Sequence, residues 1–328
     1  MGEERLPARA GYASNDVITL IRRTVLWVTG LAFVRRFVIE HPIGQRLAGR
    51  FVAGALLDHG IRATEELDGL RVGAMLDHLG ENVQTRAQAA AATDQYIGAL
   101  RRIRRAPHLD CNISVKLTQL GLDEDQDLCL ENMERVLEAA AGGPGRAAIL
   151  VMIDMESREY VDRTLEVYLK LREQHPNVGV CLQAYLFRTA EDADRIGGAA
   201  GIVRMAKGAY LEPPDVAYRS KREVSKNYAR LAATLLAGGA TVHLATHDPS
   251  LIEGARRFVR RAGIPRERYE FQMLYGIRRD LQQRLVEQGE PVRVYIPYGT
   301  QWYPYLTRRL AERPANIWFF ASNVLRRG

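Results

Sequence analysis

The chain has 328 residues, 47% of them hydrophobic and 26% charged, with a formal net charge of +7, enough apolar material for one large domain or two small ones. No apolar run approaches the ~20 residues that cross a bilayer, because the longest, residues 24–34, is closed by Arg22, Arg23, Arg35 and Arg36. No signal-peptide pattern opens the chain, and arginines scattered without interleaved aromatics argue against a nucleic-acid partner. Cys111, Cys129 and Cys181 have neither metal nor redox spacing and read as reduced core thiols of a cytoplasmic protein.

Residues 1–65 read as an N-terminal helical arm, with Leu20, Val25, Leu26, Trp27, Leu31, Phe33, Val34 and Phe37 forming a broad apolar surface. Its basic flanks suit peripheral contact with the inner face of a membrane, and the plainer reading is a set of helices capping the domain that follows. Over residues 66–328, short strand-like runs alternate with amphipathic helical runs. Strands are expected at 71–79, 112–117, 148–155, 178–185, 202–207, 241–246, 269–274 and 292–297, most of them apolar on both faces. Helices are expected between them, at 85–105, 125–141, 158–174, 217–237 and 249–261, with glycine-rich stops after several. Eight such units without a break in composition imply a closed (β/α)₈ barrel of the TIM type. An open, doubly wound nucleotide-binding sheet would carry a glycine-rich fingerprint after its first strand, and none stands there.

Just beyond the eighth strand, Tyr305, Arg308, Arg309 and Glu312 follow i, i+3, i+4, i+7 spacing and share one helix face. Two adjacent guanidiniums can grip a carboxylate or phosphate in a fixed orientation. Pro314 stops that helix, and residues 315–327 supply another apolar segment suited to the outer ring. The arginine helix is then an extra one, expected over the C-terminal mouth of the barrel.

Chemistry on such barrels collects at the C-terminal ends of the strands. Here seven of the eight strands end in polar residues: Lys116; Asp154 and Glu156; Gln183 and Tyr185; Arg204 and Lys207; Thr246, His247 and Asp248; Gln272 and Tyr275; and Tyr295. Packing does not explain them, since each unpaired buried polar group costs about 1 to 3 kcal/mol. Taken by itself, Lys116 could be a Schiff-base nucleophile, an anchor for a carboxylate or flavin, or the partner of a neighbouring acid. His243 and His247 lie four residues apart on a strand, roughly 13 Å, too far to share a metal ion. No metal is expected.

Five motifs in order, each at its own strand end, resemble the proline dehydrogenase family: Ser-Val-Lys-Leu (114–117), Ile-Asp-Met-Glu (153–156), Leu-Gln-Ala-Tyr (182–185), Val-Arg-Met-Ala-Lys-Gly-Ala-Tyr (203–210) and Ala-Thr-His-Asp (245–248). Two more follow, Tyr-Glu-Phe-Gln-Met-Leu-Tyr-Gly (269–276) and the stretch from Tyr-Ile-Pro-Tyr-Gly-Thr to Tyr-Leu-Thr-Arg-Arg-Leu-Ala-Glu (295–312). The resemblance implies a barrel that holds FAD at its mouth and oxidises L-proline to Δ1-pyrroline-5-carboxylate by hydride transfer to flavin N5. By position it implies that Lys116, Arg308 and Arg309 bind the proline carboxylate and that Tyr295 packs on the ring. It matches Asp154 and Arg204 to catalytic positions, and Met155, Gln183, Lys207, Gly208, Ala209, Thr246 and His247 to flavin contacts. Glu81 matches an acid that pairs with an active-site arginine. A smaller residue at position 295 would go with hydroxyproline use, so Tyr295 favours proline.

Where many relatives read Glu-Asn-Gly after the paired arginines, this chain has Glu312-Arg313-Pro314, a change at the helix end. The sequence ends at Gly328, so a monofunctional enzyme is expected, with a separate pyrroline-5-carboxylate dehydrogenase and a membrane quinone as electron acceptor. The rival reading is a Schiff-base lyase or aldolase on the same barrel, using Lys116.

Overall fold

The computed structural model describes residue 29 and residues 32–80, 83–197 and 201–312. The chain divides into two compact units, one of Phe51–Gln301 and the other of Met1–Arg50 with Trp302–Gly328. In chain order, the second unit begins with helices α1 (Ala32–Glu40) and α2 (Pro42–Ala48). The first unit then runs α3 (Leu57–Asp68), β1 (Gly73–His78), α4 (Arg86–Arg104), β2 (Cys111–Val115), α5 (Gln126–Ala140), β3 (Val151–Ile153) and α6 (Val161–Arg172). It continues with β4 (Val178–Gln183), α7 (Thr189–Gly197), β5 (Ile202–Ala206), α8 (Lys221–Ala237), β6 (Thr241–Ala245), α9 (Pro249–Arg261), β7 (Tyr269–Leu274), α10 (Arg279–Glu287) and β8 (Val292–Tyr298). Helix α11 (Trp302–Glu312) follows in the second unit.

Every strand pairs in parallel with its sequence neighbour, and β8 pairs with β1, so the sheet closes into the expected (β/α)₈ barrel. Three of the helices that follow strands have their starts fixed by side chains. Thr85 caps α4 by accepting from Gln88 N at 3.2 Å, and Asp125 caps α5 by accepting from Asp127 N at 2.7 Å. Asp248 caps α9 by accepting from Ser250 N at 3.0 Å, with Pro249 in the first turn, where no backbone donor is lost. The apolar stretch expected in the N-terminal arm lies largely outside the described residues, as do Glu81 and the segment 315–327.

The strands differ from the expected pattern on one face. Residues such as Leu76, Ile113, Val151, Val180, Val203, Leu244, Phe271 and Val294 belong to the hydrophobic core. Alternate positions carry Asp77, Ser114, Lys116, Asp154, Gln183, Arg204, His243, Glu270, Gln272, Arg293 and Tyr295, whose bonds cross from strand to strand inside the barrel. A period of two therefore separates an apolar outer face from a polar lumen. The three cysteines are buried free thiols, and burial pushes Cys111 and Cys129 up to about 12 and Cys181 up to about 11.

Gly299, just past β8, has φ +132° and donates its N–H to Gly54 O at 2.8 Å. A Cβ there would stand 2.6 Å from Leu79 O, a backbone atom that cannot rotate away. We expect Gly299→Ala to cost about 2 to 3 kcal/mol through combined strain and clash. Thermal unfolding of the variant should show a Tm lower by roughly 5 °C or more; an unchanged Tm would contradict this account.

Candidate active site

Asp154, in the residue pair after β3, is the centre of the lumen cluster. Its Oδ1 accepts from Ser114 Oγ at 2.6 Å and from Arg204 Nη1, while its Oδ2 accepts from Tyr295 OH at 2.7 Å and from Lys116 Nζ at 3.3 Å. These donors come from β2, β5, β8 and the residue after β2, so four points of the barrel converge on one carboxylate. Burial pushes the Asp154 carboxyl upward, but Lys116 and Arg204 outweigh it and hold the group below its ordinary value. It is an anion at neutral pH.

Lys116 also donates to Asp77 Oδ1 at 2.7 Å. Burial would lower the ammonium's pKa, yet Asp77 and Asp154 together raise it well above the ordinary lysine value. A Schiff-base nucleophile needs the neutral amine, so this environment opposes the lyase reading. It suits a fixed cation with two of its three N–H groups committed to acids. Asp77 itself is wholly buried, and its Oδ2 has no hydrogen-bond partner among the described residues. The sequence reading named polar ends for seven strands and passed over Asp77 in β1. The signal was Met-Leu-Asp-His at 75–78, an acid two residues from Met75 on the lumen face.

Arg204 reaches across the lumen. Its Nε donates to Gln272 Oε1 at 2.7 Å, its Nη1 also reaches Ser114 Oγ at 3.2 Å, and its Nη2 meets Met75 Sδ. The guanidinium carbon lies 5.3 Å from the Tyr295 ring centroid, a stacked cation. Below Arg204, Glu270 accepts from Arg293 Nε at 3.0 Å, and Arg293 grips Asp110 with two donors at 2.9 and 3.0 Å. Burial raises Glu270, but Arg293 and His243 bring it down to about 2.

A second group of residues gathers at the ends of β4, β5 and β6. Gln183 Nε2 donates to Met155 O at 3.4 Å, whereas its Oε1 is buried without a partner among the described residues. Lys207 Nζ donates to Ser225 Oγ and Asp248 Oδ2, both at 2.9 Å. Thr246 Oγ1 accepts from Asp248 N at 3.2 Å, and His247 Nε2 accepts from Leu274 N at 3.0 Å. A neutral His247 therefore carries its proton on Nδ1. Gly208 adopts φ +114°, and a Cβ there would meet the Tyr185 ring at 2.1 Å. The glycine is needed by its own fold before any ligand is considered. Glu156, named among the strand ends, accepts from Thr118 Oγ1 at 3.0 Å, and burial raises its carboxyl.

The paired arginines lie on α11, in the other unit. Both are half-buried, and the Arg309 guanidinium lies 5.3 Å from the Tyr305 ring centroid. In that same unit Tyr303 OH donates to Thr29 O at 2.8 Å and Arg35 stacks on the Tyr303 ring. The Glu312 side chain lies outside what is described.

A parallel eightfold barrel with compensated ions at the C-terminal strand ends has the build of a (β/α)₈ enzyme. The family model "Proline dehydrogenase" matches residues 60–322. Proline dehydrogenase from Deinococcus radiodurans is 39% identical over 285 residues, covering 85% of this chain and 90% of that protein. Proline dehydrogenase 2 from Bacillus subtilis strain 168 is 38% identical over 277 residues, covering 84% of this chain and 90% of the relative. The chain belongs to the proline dehydrogenase family, oxidoreductases that act on proline. Among solved structures, proline utilization A from Bdellovibrio bacteriovorus, inactivated by N-propargylglycine, superposes with a TM-score of 0.75 at 24% identity. That match covers 82% of this chain but only 33% of the other, and it is a likeness of fold. No helix among the described residues is long and apolar enough to cross a membrane.

His243 offers a test of the lumen's electrostatics. Burial outweighs the Glu270 carboxylate and lowers its pKa to about 4 from an ordinary 6.5. Between those values the unfolded chain binds a proton that the folded chain refuses, so stability falls as pH drops through this window. We expect His243→Gln to lose part of that slope, read as urea midpoints at pH 7, 5.5 and 4.5. An identical pH dependence in the variant would show that His243 is not buried neutral.

Proposed function

We propose that this protein catalyses FAD-dependent oxidation of L-proline to Δ1-pyrroline-5-carboxylate, with Asp154 and Arg204 as the catalytic pair. The observation that carries the reading is the fourfold-bound Asp154 carboxylate, which fixes Lys116, Arg204 and Tyr295 around one point of the barrel mouth. Residues 66–328 would form the catalytic barrel and residues 1–65 an arm.

The residues present fit a flavin. The orphaned Gln183 Oε1 is a buried acceptor suited to a ring N–H, and Lys207 retains one N–H beyond those given to Ser225 and Asp248. Met155, Gly208, Ala209, Thr246 and His247 would complete the holding set. When bound, FAD supplies the two-electron acceptor, taking the C5 hydrogen of proline at its N5 position.

The chain's own residues would bind and orient the substrate. Lys116 has a third N–H to offer a carboxylate, and Arg308 and Arg309, on the helix that follows β8 in sequence, would supply forked donors. Lys116 and Arg204 are already balanced by Asp77 and Asp154. Tyr295, pinned by Asp154 and stacked with Arg204, presents a fixed ring beside the substrate's C4 edge. Carbon–nitrogen double-bond formation removes one hydrogen from C5 with its electron pair and one proton from nitrogen. Electrons would pass on to a membrane quinone, and a separate pyrroline-5-carboxylate dehydrogenase would consume the product.

Anaerobic addition of L-proline to the purified holoprotein should bleach its visible flavin bands; a colourless protein, or bands that proline leaves unchanged, would overturn the reading. Arg308→Met and Arg309→Met should each raise KM for proline by roughly tenfold to a hundredfold, the scale of a lost charge-assisted hydrogen bond, with flavin still bound. Tyr295→Ser should narrow the preference for proline over trans-4-hydroxyproline, measured as the ratio of kcat/KM values. Equal ratios in variant and parent would remove Tyr295 from substrate choice.

A further inference from the structure

We propose that Gln272 is a positioning residue, which aims the Arg204 guanidinium at Asp154 and is itself locked in one orientation by Glu270 and His243. This rests on the catalytic assignment of Arg204 and Asp154 above.

Gln272 is buried, and its Oε1 accepts from Arg204 Nε at 2.7 Å. Its Nε2 donates to Glu270 Oε1 at 2.6 Å and lies 2.8 Å from His243 Nδ1. Arg204 can only donate and ionised Glu270 can only accept, so the amide has a single permitted orientation. Rotating it by half a turn would set N–H against N–H on one side and oxygen against oxygen on the other.

The second amide hydrogen then belongs to His243 Nδ1, which must be an unprotonated acceptor. His243 Nδ1 also lies 3.3 Å from Glu270 Oε1, a spacing that suggests an ion pair. The neutral ring expected from its burial, and the need of Gln272 for an acceptor, decide against that reading. Glu270 is anchored in turn by Arg293, which holds Asp110. A fixed chain thus runs from Asp110 through Arg293, Glu270 and Gln272 to Arg204 and ends on Asp154.

Arg204 has its Nη1 on Asp154 and Ser114 and its Nη2 on Met75. Among the described residues Gln272 is the partner of Nε, the atom that sets the plane of the fork. Without that acceptor the guanidinium would keep its charge and lose its angle.

The test compares Gln272→Met, which keeps length and removes the acceptor, in the parent and in an Arg204→Lys background. In the parent, kcat for proline should fall between about tenfold and a hundredfold, as expected for a misaimed group, with flavin retained. In the Arg204→Lys background the same change should have little further effect, because the residue acts through Arg204. An equal fall in both backgrounds would mark Gln272 as merely structural, and an unchanged kcat in the parent would also overturn the proposal. Independently of turnover, the Arg204 Nε–H signal of isotope-labelled protein should be protected from solvent exchange in the parent and exposed in Gln272→Met. Retained protection would sink the idea even if activity fell. Should Gln272→Met fail to fold, Gln272→Asn, too short to span Arg204 and Glu270, serves for the same measurements. Arg204→Lys alone tests the underlying assignment, since full activity there would remove Arg204 from catalysis whatever Gln272 does.

Discussion

A carboxylate buried inside a closed sheet has to be matched by donors or it destabilises the fold. Asp154 meets that constraint with Ser114, Lys116, Arg204 and Tyr295, and each of those has further obligations of its own. Removing one partner of such a buried pair costs on the order of 3 to 5 kcal/mol, because the other charge stays behind. The site and the barrel are therefore the same object. Any change that frees one of these side chains also exposes an uncompensated charge in the lumen.

This arrangement explains why the barrel has two interiors. Between sheet and helices lies an apolar layer built from residues such as Leu76, Val151 and Phe271. Inside the sheet, ions are stacked in neutralising order, Arg293 with Glu270, Arg204 with Asp154 and Asp154 with Lys116, and Arg293 also holds the exposed Asp110 before β2. An equally sized hydrophobic filling could be as stable or more so. What the ions give instead is direction, since hydrogen bonds between charged groups tolerate little change of angle.

The barrel was legible in the sequence because closure by eight parallel strands leaves a regular alternation of apolar runs and capped helices. Strand ends such as Lys116, Asp154 and Arg204 were legible too, since polar residues closing apolar runs need partners. The lumen was not. Lys116 meets an acid 39 residues away and Arg204 one 50 residues away, and such pairings exist only after closure fixes the register. Reading most of the strands as apolar on both faces also passed over Asp77 and Glu270, although the period of two in Glu-Phe-Gln and Arg-Val-Tyr was there to be seen. Gly208 differs again: the resemblance matches it to a flavin contact, while the backbone angle and the Tyr185 ring already demand glycine.

The buried thiols carry a last consequence. With values pushed to about 12 or 11, Cys111, Cys129 and Cys181 hold only about one thiolate in 10⁴ to 10⁵ at neutral pH. Alkylating reagents and disulfide exchange act on the thiolate, so all three sulfurs are chemically silent while the barrel stays closed. Their labelling would then report the opening of the barrel itself, giving this chain a built-in clock for its own unfolding.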